Sequence, residues 1–423
     1  MNKIRVVWVC HLSNPEIRDY LHQRVPWWEC IGRRLMHKAP ACLVDFALWN
    51  TNAIHEFEKY EDVELHIVAP VDHVKRKDYR LTIRGVHFYF FRDEDDFLVS
   101  RIKQAFRLDK GKQYQKNRSY IKKVISEVKP HLVHVIGAEN PYYSLSLLDV
   151  PSAIPTILQL QTLMNDPDFF ENYPISKDEY NYRAGVEKRV IQSATYVATR
   201  ATKFIPIVLS DIKPDAKILD LTLPLGEEMN LEKHETSFDF VYFAKNISKA
   251  VDYAIEAFAI AFRSDNTLTL DVIGNYSQDE KEGLNKRIRE IGIEKAITFE
   301  GMLPTHDDVI KQVRKSRFAL LPLKIDLTSG TIREAMANGL PVVTTDTGEL
   351  GTQRLNLNEE CVLISPQGDH EAMAKNMLRL VNDSELVEKL RSNSIKKAKT
   401  KQTNAQIVME WKDAYHSVLG VQL

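Results

Sequence analysis

A loop of small polar residues in the second half of the sequence, Thr328-Ser329-Gly330-Thr331, has the composition of a phosphate-binding turn. A short helix is predicted to begin here, with Thr328 or Ser329 as its cap. The first backbone N–H groups of a helix lack partners inside it and carry about half a positive charge, so they bind phosphate without a dedicated cation. Gly330 lets the backbone approach a ligand closely. The loop therefore predicts a phosphate site.

The sequence around this loop, residues 320–349, predicts a strand, the loop, a short helix, a turn and a second strand. Gly339 is placed to end the helix in a left-handed turn, and Pro341 prevents its continuation. An open α/β sheet binds ligands at the carboxyl ends of its strands, which is where the loop falls. Glu334 lies within the helix. It could face a ligand, or it could form a capping box with Thr331, which would make both residues structural.

The segment 326–343 resembles the signature of the family 4 retaining glycosyltransferases, in which two acidic residues stand eight positions apart and a small-residue helix and G-x-P-V-V follow. Asp326 and Glu334 occupy the acidic positions, and Ala335–Val343 matches the remainder. Asp326 is one methylene shorter than the usual Glu. The similarity covers residues 238–380, with further matches at 270–274, 297–301 and 365–369.

A basic pair after the first strand of the second domain is the other signature of this family, written roughly G-R-x(4)-K-G. Lys249 matches its lysine, whereas the Gly-Arg pair is missing and Lys245 is the nearest substitute, one position out of register. The resemblance implies that these two lysines hold the diphosphate of a nucleoside-diphosphate sugar. It also implies that the amides of Ser329, Gly330 and Thr331 hold the distal phosphate. Positive charge here would stabilise the leaving diphosphate without a metal.

The two acidic residues receive separate roles from the same resemblance. Glu334 would accept hydrogen bonds from the ribose hydroxyls, and Asp326 would contact the sugar ring near the reacting carbon. Together with Lys249 they form the predicted catalytic group. The implied enzyme is a hexosyltransferase that retains the anomeric configuration, passes through an oxocarbenium-like state, and needs neither cofactor nor metal. The expected acceptor is a carbohydrate or a lipid-linked molecule, in surface polysaccharide or glycolipid synthesis.

Two successive series of apolar runs and amphipathic segments predict an α/β fold with two Rossmann-like domains. The resemblance adds that these domains face each other across a cleft, the GT-B architecture. We place the acceptor-binding domain at residues 1–205 and the nucleotide-sugar-binding domain at 206–403, with a linker around Pro206–Gly226. Residues 404–423 are predicted to hold a C-terminal helix that could cross back to the first domain. The predicted strands are Ile4–Cys10, Val63–Ala69, Val86–Phe91, Leu132–Ile136, Thr156–Leu160, Phe238–Phe243, Leu268–Ile273, Ala296–Phe299, Phe318–Leu321 and Pro341–Thr344.

Polar residues after three predicted strands of the first domain are candidates for the acceptor side. His11 and Ser13 follow the first strand, and Glu139 follows the fourth. Members of the family usually carry a histidine after the fifth strand. This sequence has none there, and Gln161 is the candidate that replaces it. A structural role stays open for His11, and a buried, hydrogen-bonded carboxylate for Glu139.

The chain of 423 residues has a net charge of −1, so only local charge can indicate a partner. The segment Arg101–Lys123 holds nine basic residues and one acid, which predicts a charged helix. This helix is either a solvated face or a site of adhesion to an anionic membrane surface, at roughly 1 kcal/mol per basic residue. No nucleic-acid-binding motif accompanies it, which argues against nucleic acid as a partner. The acidic run Arg92–Asp96 is interpreted as a solvated loop rather than a metal site.

The expected location follows from what the sequence lacks. No apolar run approaches the roughly 18 residues that a membrane helix needs, and the N-terminus is typical of a first strand. The four cysteines include no CxxC pair, which favours a reduced, cytoplasmic protein without structural zinc. The basic segment would place such a protein peripherally on the inner face of the membrane.

Two alternatives compete with the enzyme. The missing Gly-Arg pair, the missing histidine and the short Asp326 are compatible with a catalytically inactive protein of the same fold that acts as a binding or partner subunit. An oxidoreductase with a Rossmann domain is disfavoured, because no G-x-G-x-x-G follows any predicted strand.

Overall fold

A computed structural model describes most of the chain. The residues outside its description are 1–2, 36–42, 44, 97–98, 101, 103–105, 107–111, 168–174, 202–203, 225–230, 232–234, 247–249, 277, 324–329, 349–350, 401–402 and 421–423.

The first unit contains an eight-stranded sheet with the order β3-β4-β2-β1-β5-β6-β7-β8. Every neighbouring pair is parallel except β3–β4. The central strands are almost continuous apolar runs because helices cover both faces of a parallel sheet. The strands are β1 (Ile4–Val9), β2 (Val63–Val71), β3 (Asp78–Ile83), β4 (Val86–Arg92), β5 (Leu132–Ile136), β6 (Thr156–Gln159), β7 (Tyr196–Ala198) and β8 (Lys217–Leu219).

Helices connect these strands, and two buried apolar clusters lie on the two faces of the sheet. The α-helices along residues 15–207 are α1 (Pro15–Leu21), α2 (Trp27–Leu35), α3 (Leu48–Phe57), α4 (Gln115–Val128), α5 (Pro141–Ser144), α6 (Lys177–Ser193) and α7 (Phe204–Ile207), of which α2 groups with the second unit. Short 3₁₀ segments lie at Glu94–Asp96 and Leu145–Asp149, and a π-helical turn at Val208–Ile212.

The second unit contains a six-stranded parallel sheet with the order β11-β10-β9-β12-β13-β14. Its strands are β9 (Phe238–Asn246), β10 (Leu270–Asn275), β11 (Ile297–Gly301), β12 (Ser316–Leu320), β13 (Val342–Thr345) and β14 (Val362–Ser365). Its helices are α8 (Val251–Ser264), α9 (Gln278–Ile291), α10 (His306–Val313), α11 (Gly330–Ala337), α12 (His370–Asn382) and α13 (Ser384–Thr400), with a 3₁₀ turn at Thr352–Asn356.

The boundary between the units lies later than the sequence predicts. The first unit comprises Met1–Arg24, Asp45–Leu225 and Gln402–Leu423, and the second Val25–Val44 and Gly226–Lys401. The boundary near residue 205 is wrong because β8, within the predicted linker, pairs with β7 and extends the first sheet.

The C-terminal helix α14 (Asn404–Leu419) groups with the first unit. It begins with a capping box formed by Thr403 and Gln406. The hydroxyl of Tyr415 accepts a hydrogen bond from Trp8 Nε1 (3.0 Å) and lies 2.7 Å from His134 Nδ1. All three side chains are buried, so this helix completes the core around β1 and β5.

The basic segment does not form one helix over residues 101–123. Helix α4 begins at Gln115, directly after Tyr114, whose φ of 47° is left-handed. A helix cannot continue through that conformation, because L-residues in a right-handed helix need negative φ. Arg101, Lys103, Arg107 and Lys110 lie outside the described residues.

Candidate functional site

The strand order of the second sheet reverses between β9 and β12. From β9 the chain proceeds outward to β10 and β11, and from β12 it proceeds in the other direction to β13 and β14. Connections leave the carboxyl ends of the two central strands in opposite directions, which is where open α/β sheets bind ligands. The predicted donor residues all follow one of these two strands or end one of them.

The structure describes part of this predicted group. Lys245 is the penultimate residue of strand β9, and Gly330, Thr331 and Glu334 lie in helix α11, which follows β12. Lys249, Asp326 and Ser329, together with Thr328 as the alternative cap, lie outside the described residues.

Helix α11 resolves the choice between the two interpretations of Thr331. The helix already includes Gly330, so Thr331 lies inside its first turn and cannot be the N-cap of a capping box with Glu334. At the other end, Gly339 has a φ of 71°, which confirms the predicted left-handed termination before Pro341. Glu334 is therefore held on a short, well-terminated helix at the switch point of the sheet.

The start of the loop between β12 and α11 is fixed from the neighbouring strand. The hydroxyl of Thr345 accepts a hydrogen bond from the backbone N–H of Leu323 (2.7 Å) and donates one to the Leu323 carbonyl (2.5 Å). The side chain of Gln367 donates to the same carbonyl at 3.1 Å. The chain thus leaves the sheet at a defined point beside β13.

Glu334 is the carboxylate at this site whose surroundings the structure shows. Its side chain is 17% exposed, and its Oε1 lies 3.4 Å from Nε2 of His306, the first residue of α10. Burial raises the pKa of Glu334, while the charges of His306 and Arg333 oppose the rise. A carboxylate with these neighbours can accept hydrogen bonds from hydroxyl groups. Sequence reasoning missed His306, because no motif links residues 28 positions apart on different helices.

The first sheet reverses its order between β1 and β5, and three of the four predicted acceptor-side residues follow strands at this point. His11 follows β1, Glu139 follows β5, and Gln161 follows the neighbouring β6. The Nδ1 of His11 is hydrogen-bonded to the Tyr142 hydroxyl, and the two rings stack with an interplanar angle of 21°. His11 is therefore fixed by aromatic packing at the carboxyl edge of the sheet.

Gly137 brings Glu139 and Gln161 together. Its φ is 102°, and a Cβ at this position would lie 3.0 Å from Glu139 Oε1, 3.2 Å from Gln161 Cδ and 2.3 Å from the Tyr143 hydroxyl. Gln161 and Tyr143 both donate to the carbonyl of Ile136, at 3.2 and 2.7 Å. The two candidate side chains can converge because residue 137 has no side chain of its own.

Glu139 has one bonded and one orphaned oxygen. Its Oε1 accepts a hydrogen bond from Asn140 Nδ2 at 2.7 Å, whereas its Oε2 is shielded from solvent without a partner. Burial raises the pKa of Glu139 to about 7. The carboxyl group can therefore exchange a proton near neutral pH. The unbonded Oε2 argues against the alternative that Glu139 is a buried, fully hydrogen-bonded carboxylate.

Ser13 has a different environment from the other three candidates. It is buried, and its hydroxyl accepts a hydrogen bond at 3.0 Å from Arg18, which also pairs with Asp45. Its backbone forms an antiparallel bridge with Phe46. These contacts give Ser13 a structural role in holding the loop after β1.

Sequence reasoning also missed Glu187, a fully buried carboxylate on α6. It accepts hydrogen bonds from the backbone N–H groups of Met164 and Asn165, both at 3.0 Å, and from Asn165 Nδ2 at 2.8 Å. Burial raises the pKa of Glu187 to about 7. It fixes the loop after β6, and its charge raises the pKa of Glu139 further.

The acidic run 92–96 is not the solvated loop that the sequence predicts. Asp93 and Asp96 are buried; Asn117 Nδ2 donates to Asp93 at 2.9 Å and Arg92 Nε to Asp96 at 2.8 Å. Burial raises the pKa of Asp93 to about 6. The run anchors the start of α4, since Asn117 belongs to that helix.

The described basic residues of the segment 101–123 differ in their exposure to solvent. Lys112 pairs with Asp95, and Arg118 forms a bidentate ion pair with Asp149 at 2.6 and 2.8 Å. The exposed members are Lys116, Lys122 and Lys123. Within the described part of the chain, no helix combines the length and the apolarity needed to span a bilayer.

Comparison with known proteins defines the class. Residues 238–383 match the family described as glycosyl transferases group 1. The match lies within the second unit and, together with the GT-B fold of the similar solved structures, confirms the predicted class of enzyme and the two Rossmann-like units. No curated protein matches the chain.

Solved structures resemble the chain at low sequence identity, two of them over nearly its whole length. Sucrose-phosphate synthase from Thermosynechococcus elongatus has a TM-score of 0.68 at 14% identity, covering 99% of this chain and 100% of its own. The Anabaena protein HepE in complex with UDP has a TM-score of 0.62 at 13% identity, covering 98% and 100%. The pneumococcal O-GlcNAc transferase GtfA, in complex with UDP and GlcNAc, has a TM-score of 0.56 at 15% identity, covering 82% and 72%.

Proposed function

We propose that this protein is a retaining glycosyltransferase that moves a hexose from a nucleoside-diphosphate sugar to a carbohydrate or lipid-linked acceptor. The observation that carries the proposal is the position of Glu334. It lies on α11 at the switch point of a sheet within the group 1 glycosyltransferase match, largely buried and facing His306. The proposed setting is surface polysaccharide or glycolipid synthesis.

The donor roles follow from charge and from placement at the switch point. Glu334 accepts hydrogen bonds from the ribose hydroxyls, and the amides of Ser329, Gly330 and Thr331 bind the distal phosphate. Lys245 and Lys249 neutralise the diphosphate as the bond to the sugar breaks.

Chemistry at the sugar involves Asp326, which contacts the ring near the reacting carbon. The sugar passes through an oxocarbenium-like state. The cations supplied by the protein do what a divalent metal does in other transferases, so the proposed reaction needs neither metal nor cofactor. Titration with EDTA tests this point, and loss of activity that Mg²⁺ restores would contradict it.

The acceptor is proposed to bind at the carboxyl edge of the first sheet, beside His11, Glu139 and Gln161. The supporting observation is the convergence of Glu139 and Gln161 over Gly137, with a carboxyl oxygen that has no partner in the structure. An acceptor hydroxyl would satisfy that oxygen.

The first experiment is a thermal-shift panel with UDP, GDP, ADP and CMP, followed by assay of nucleoside diphosphate released from UDP- and GDP-sugars. We expect one nucleotide to stabilise the protein and its sugar to be consumed. Stabilisation without any release, with acceptor extracts present, would favour the inactive binding or partner subunit. No stabilisation by any nucleotide would contradict the donor site.

Peripheral attachment to the inner face of the cytoplasmic membrane is the proposed location. The exposed Lys116, Lys122 and Lys123 lie on α4, and each basic residue near an anionic surface contributes about 1 kcal/mol. Flotation with anionic and neutral vesicles tests this. The doubly substituted variant K122E/K123E should float less with anionic vesicles, and equal flotation of the wild type with both vesicles would contradict the proposal.

A further inference from the structure

Two histidines and a glutamate meet on one face of the first sheet, remote from the residues discussed so far. Glu64 and His66 lie on β2, two residues apart and therefore on the same face. The parallel register places His87 of β4 directly beside His66. Their rings stack at 4.8 Å between centroids with an interplanar angle of 20°.

The ring nitrogens divide into two pairs with different surroundings. The Nε2 atoms of His66 and His87 lie 3.0 and 4.0 Å from Glu64 Oε1. The Nδ1 atoms instead meet hydroxyl groups, Tyr89 at 3.2 Å and Thr82 at 3.1 Å. Both rings are therefore oriented so that one nitrogen faces the carboxylate and the other is held by a neighbouring strand residue.

We propose that Glu64, His66 and His87 form a binding site for Zn²⁺, with His66 Nε2, His87 Nε2 and a Glu64 oxygen as ligands and water in the fourth position. One candidate ligand atom from each residue lies within 4.8 Å of the others. Tetrahedral zinc with bonds of about 2.0–2.1 Å separates its ligands by roughly 3.3 Å. The distances from Glu64 Oε1 to the Nε2 atoms of His66 and His87, 3.0 and 4.0 Å, lie on either side of that value. Rotations of the three side chains would bring the ligand atoms to tetrahedral spacing.

Two features support a metal over a simple hydrogen bond among these groups. Metal-bound histidines almost always donate their second N–H to an oxygen, and both rings have such an oxygen at Nδ1. The nearby Arg5 directs its guanidinium to the carbonyl of Lys129, at 3.2 and 3.1 Å, rather than to Glu64.

The site is separate from the proposed acceptor region. Glu64 and His66 lie in the amino-terminal half of β2, whereas His11 and Glu139 follow the carboxyl ends of their strands. At about 3.3 Å per residue, the five residues from His66 to Val71 span roughly 16 Å. A bound ion would join β2 to β4, near the edge of the sheet, and would stabilise the first unit without taking part in sugar transfer.

Calorimetric titration of ZnCl₂ into tag-free full-length protein, dialysed against EDTA and then buffer, tests the proposal. We expect one ion per chain and a rise in the melting temperature of roughly 5 °C or more at a hundredfold excess over Kd. H87Q and E64Q should each weaken binding at least tenfold. H55Q, which removes an exposed histidine on α3 outside the cluster, should bind as the wild type does.

Circular dichroism must first show that each variant is folded, so that a loss of zinc binding reports on the ligand and not on the fold. Wild-type affinity in both H87Q and E64Q would overturn the proposal, as would the absence of saturable binding. A loss of binding in H55Q equal to that in H87Q would assign the ion to scattered surface histidines and also overturn it. If H87Q does not fold, E64Q alone decides, and Mg²⁺ stabilisation equal to that of Zn²⁺ would refute the choice of metal.

Discussion

Replacing Glu334 by Ala is the sharpest test of the donor site. Hydrogen bonds to a charged group contribute about 1.5–3 kcal/mol, and the side chain of Glu334 is only 17% exposed, so water cannot readily replace them. Losing that free energy corresponds to a Kd for nucleotide that is roughly 10- to 100-fold weaker. Glu334→Gln keeps one carbonyl oxygen but loses the charge, so its Kd should rise about tenfold.

Isothermal titration calorimetry measures this change with whichever nucleotide stabilises the wild type best. Glu388→Gln is the matched control, because Glu388 lies on α13 of the same unit with a side chain that is 72% exposed. Its Kd should equal that of the wild type. The variants at position 334 should keep their far-UV spectra, because α11 does not depend on a capping box through Glu334.

Nucleotide affinity equal to that of the wild type in Glu334→Ala would refute the role of this carboxylate. A pH series adds an independent check on the geometry. His306 lowers the pKa of Glu334, so in His306→Gln that pKa rises and affinity is lost at a higher pH as the solution is acidified. An unchanged pH profile would mean that the pair at 3.4 Å does not exist in solution.

Three further predictions concern the first unit. Tyr415→Phe leaves the buried Trp8 N–H without a partner and should cost about 1–3 kcal/mol in urea unfolding. Gly137→Ala forces a Cβ against the Tyr143 hydroxyl at a positive φ, and should cost about 2–4 kcal/mol and weaken acceptor binding. Burial raises the pKa of Glu139 from its ordinary 4.5 to about 7. The stability that protonated Glu139 contributes is therefore fully present below pH 4.5 and is lost as the pH rises through 7. Glu139→Gln should reduce the fall in the free energy of unfolding between pH 5 and 8 by up to about 3 kcal/mol.

Matched variants separate these effects from general damage. Tyr20→Phe alters an exposed tyrosine, and Gly185→Ala adds a methyl group inside α6 with nothing within 4 Å; both should leave the unfolding free energy within about 0.5 kcal/mol. A stable Tyr415→Phe or Gly137→Ala, or a Glu139→Gln profile equal to that of the wild type, would contradict the corresponding contact.

Most of the strands that are buried on both faces could be predicted from sequence to within three residues at each end, whereas β7 and β14 were not predicted. Leu132–Ile136 was predicted with its observed ends, because an uninterrupted apolar run is typical of a central parallel strand. Strand β3 was missed although Asp78–Ile83 alternates in polarity, because it is an edge strand that lacks the continuous apolar run used to find the others. Strand β8 was missed because three residues carry too little pattern to distinguish them from a linker.

The sequence by itself determined the two α/β series, the helix that carries Glu334 and its end at Gly339, because these depend on local periodicity and local turn chemistry. Tertiary structure alone decided which side chains meet. The ion pair of His306 with Glu334, the packing of Glu139 against Gln161 over Gly137, and the meeting of His66 with His87 depend on strand order and register. Strand order and register are set by burial of the whole sheet, which makes neighbours of residues that are far apart in sequence. No local sequence pattern specifies which of these distant residues will meet.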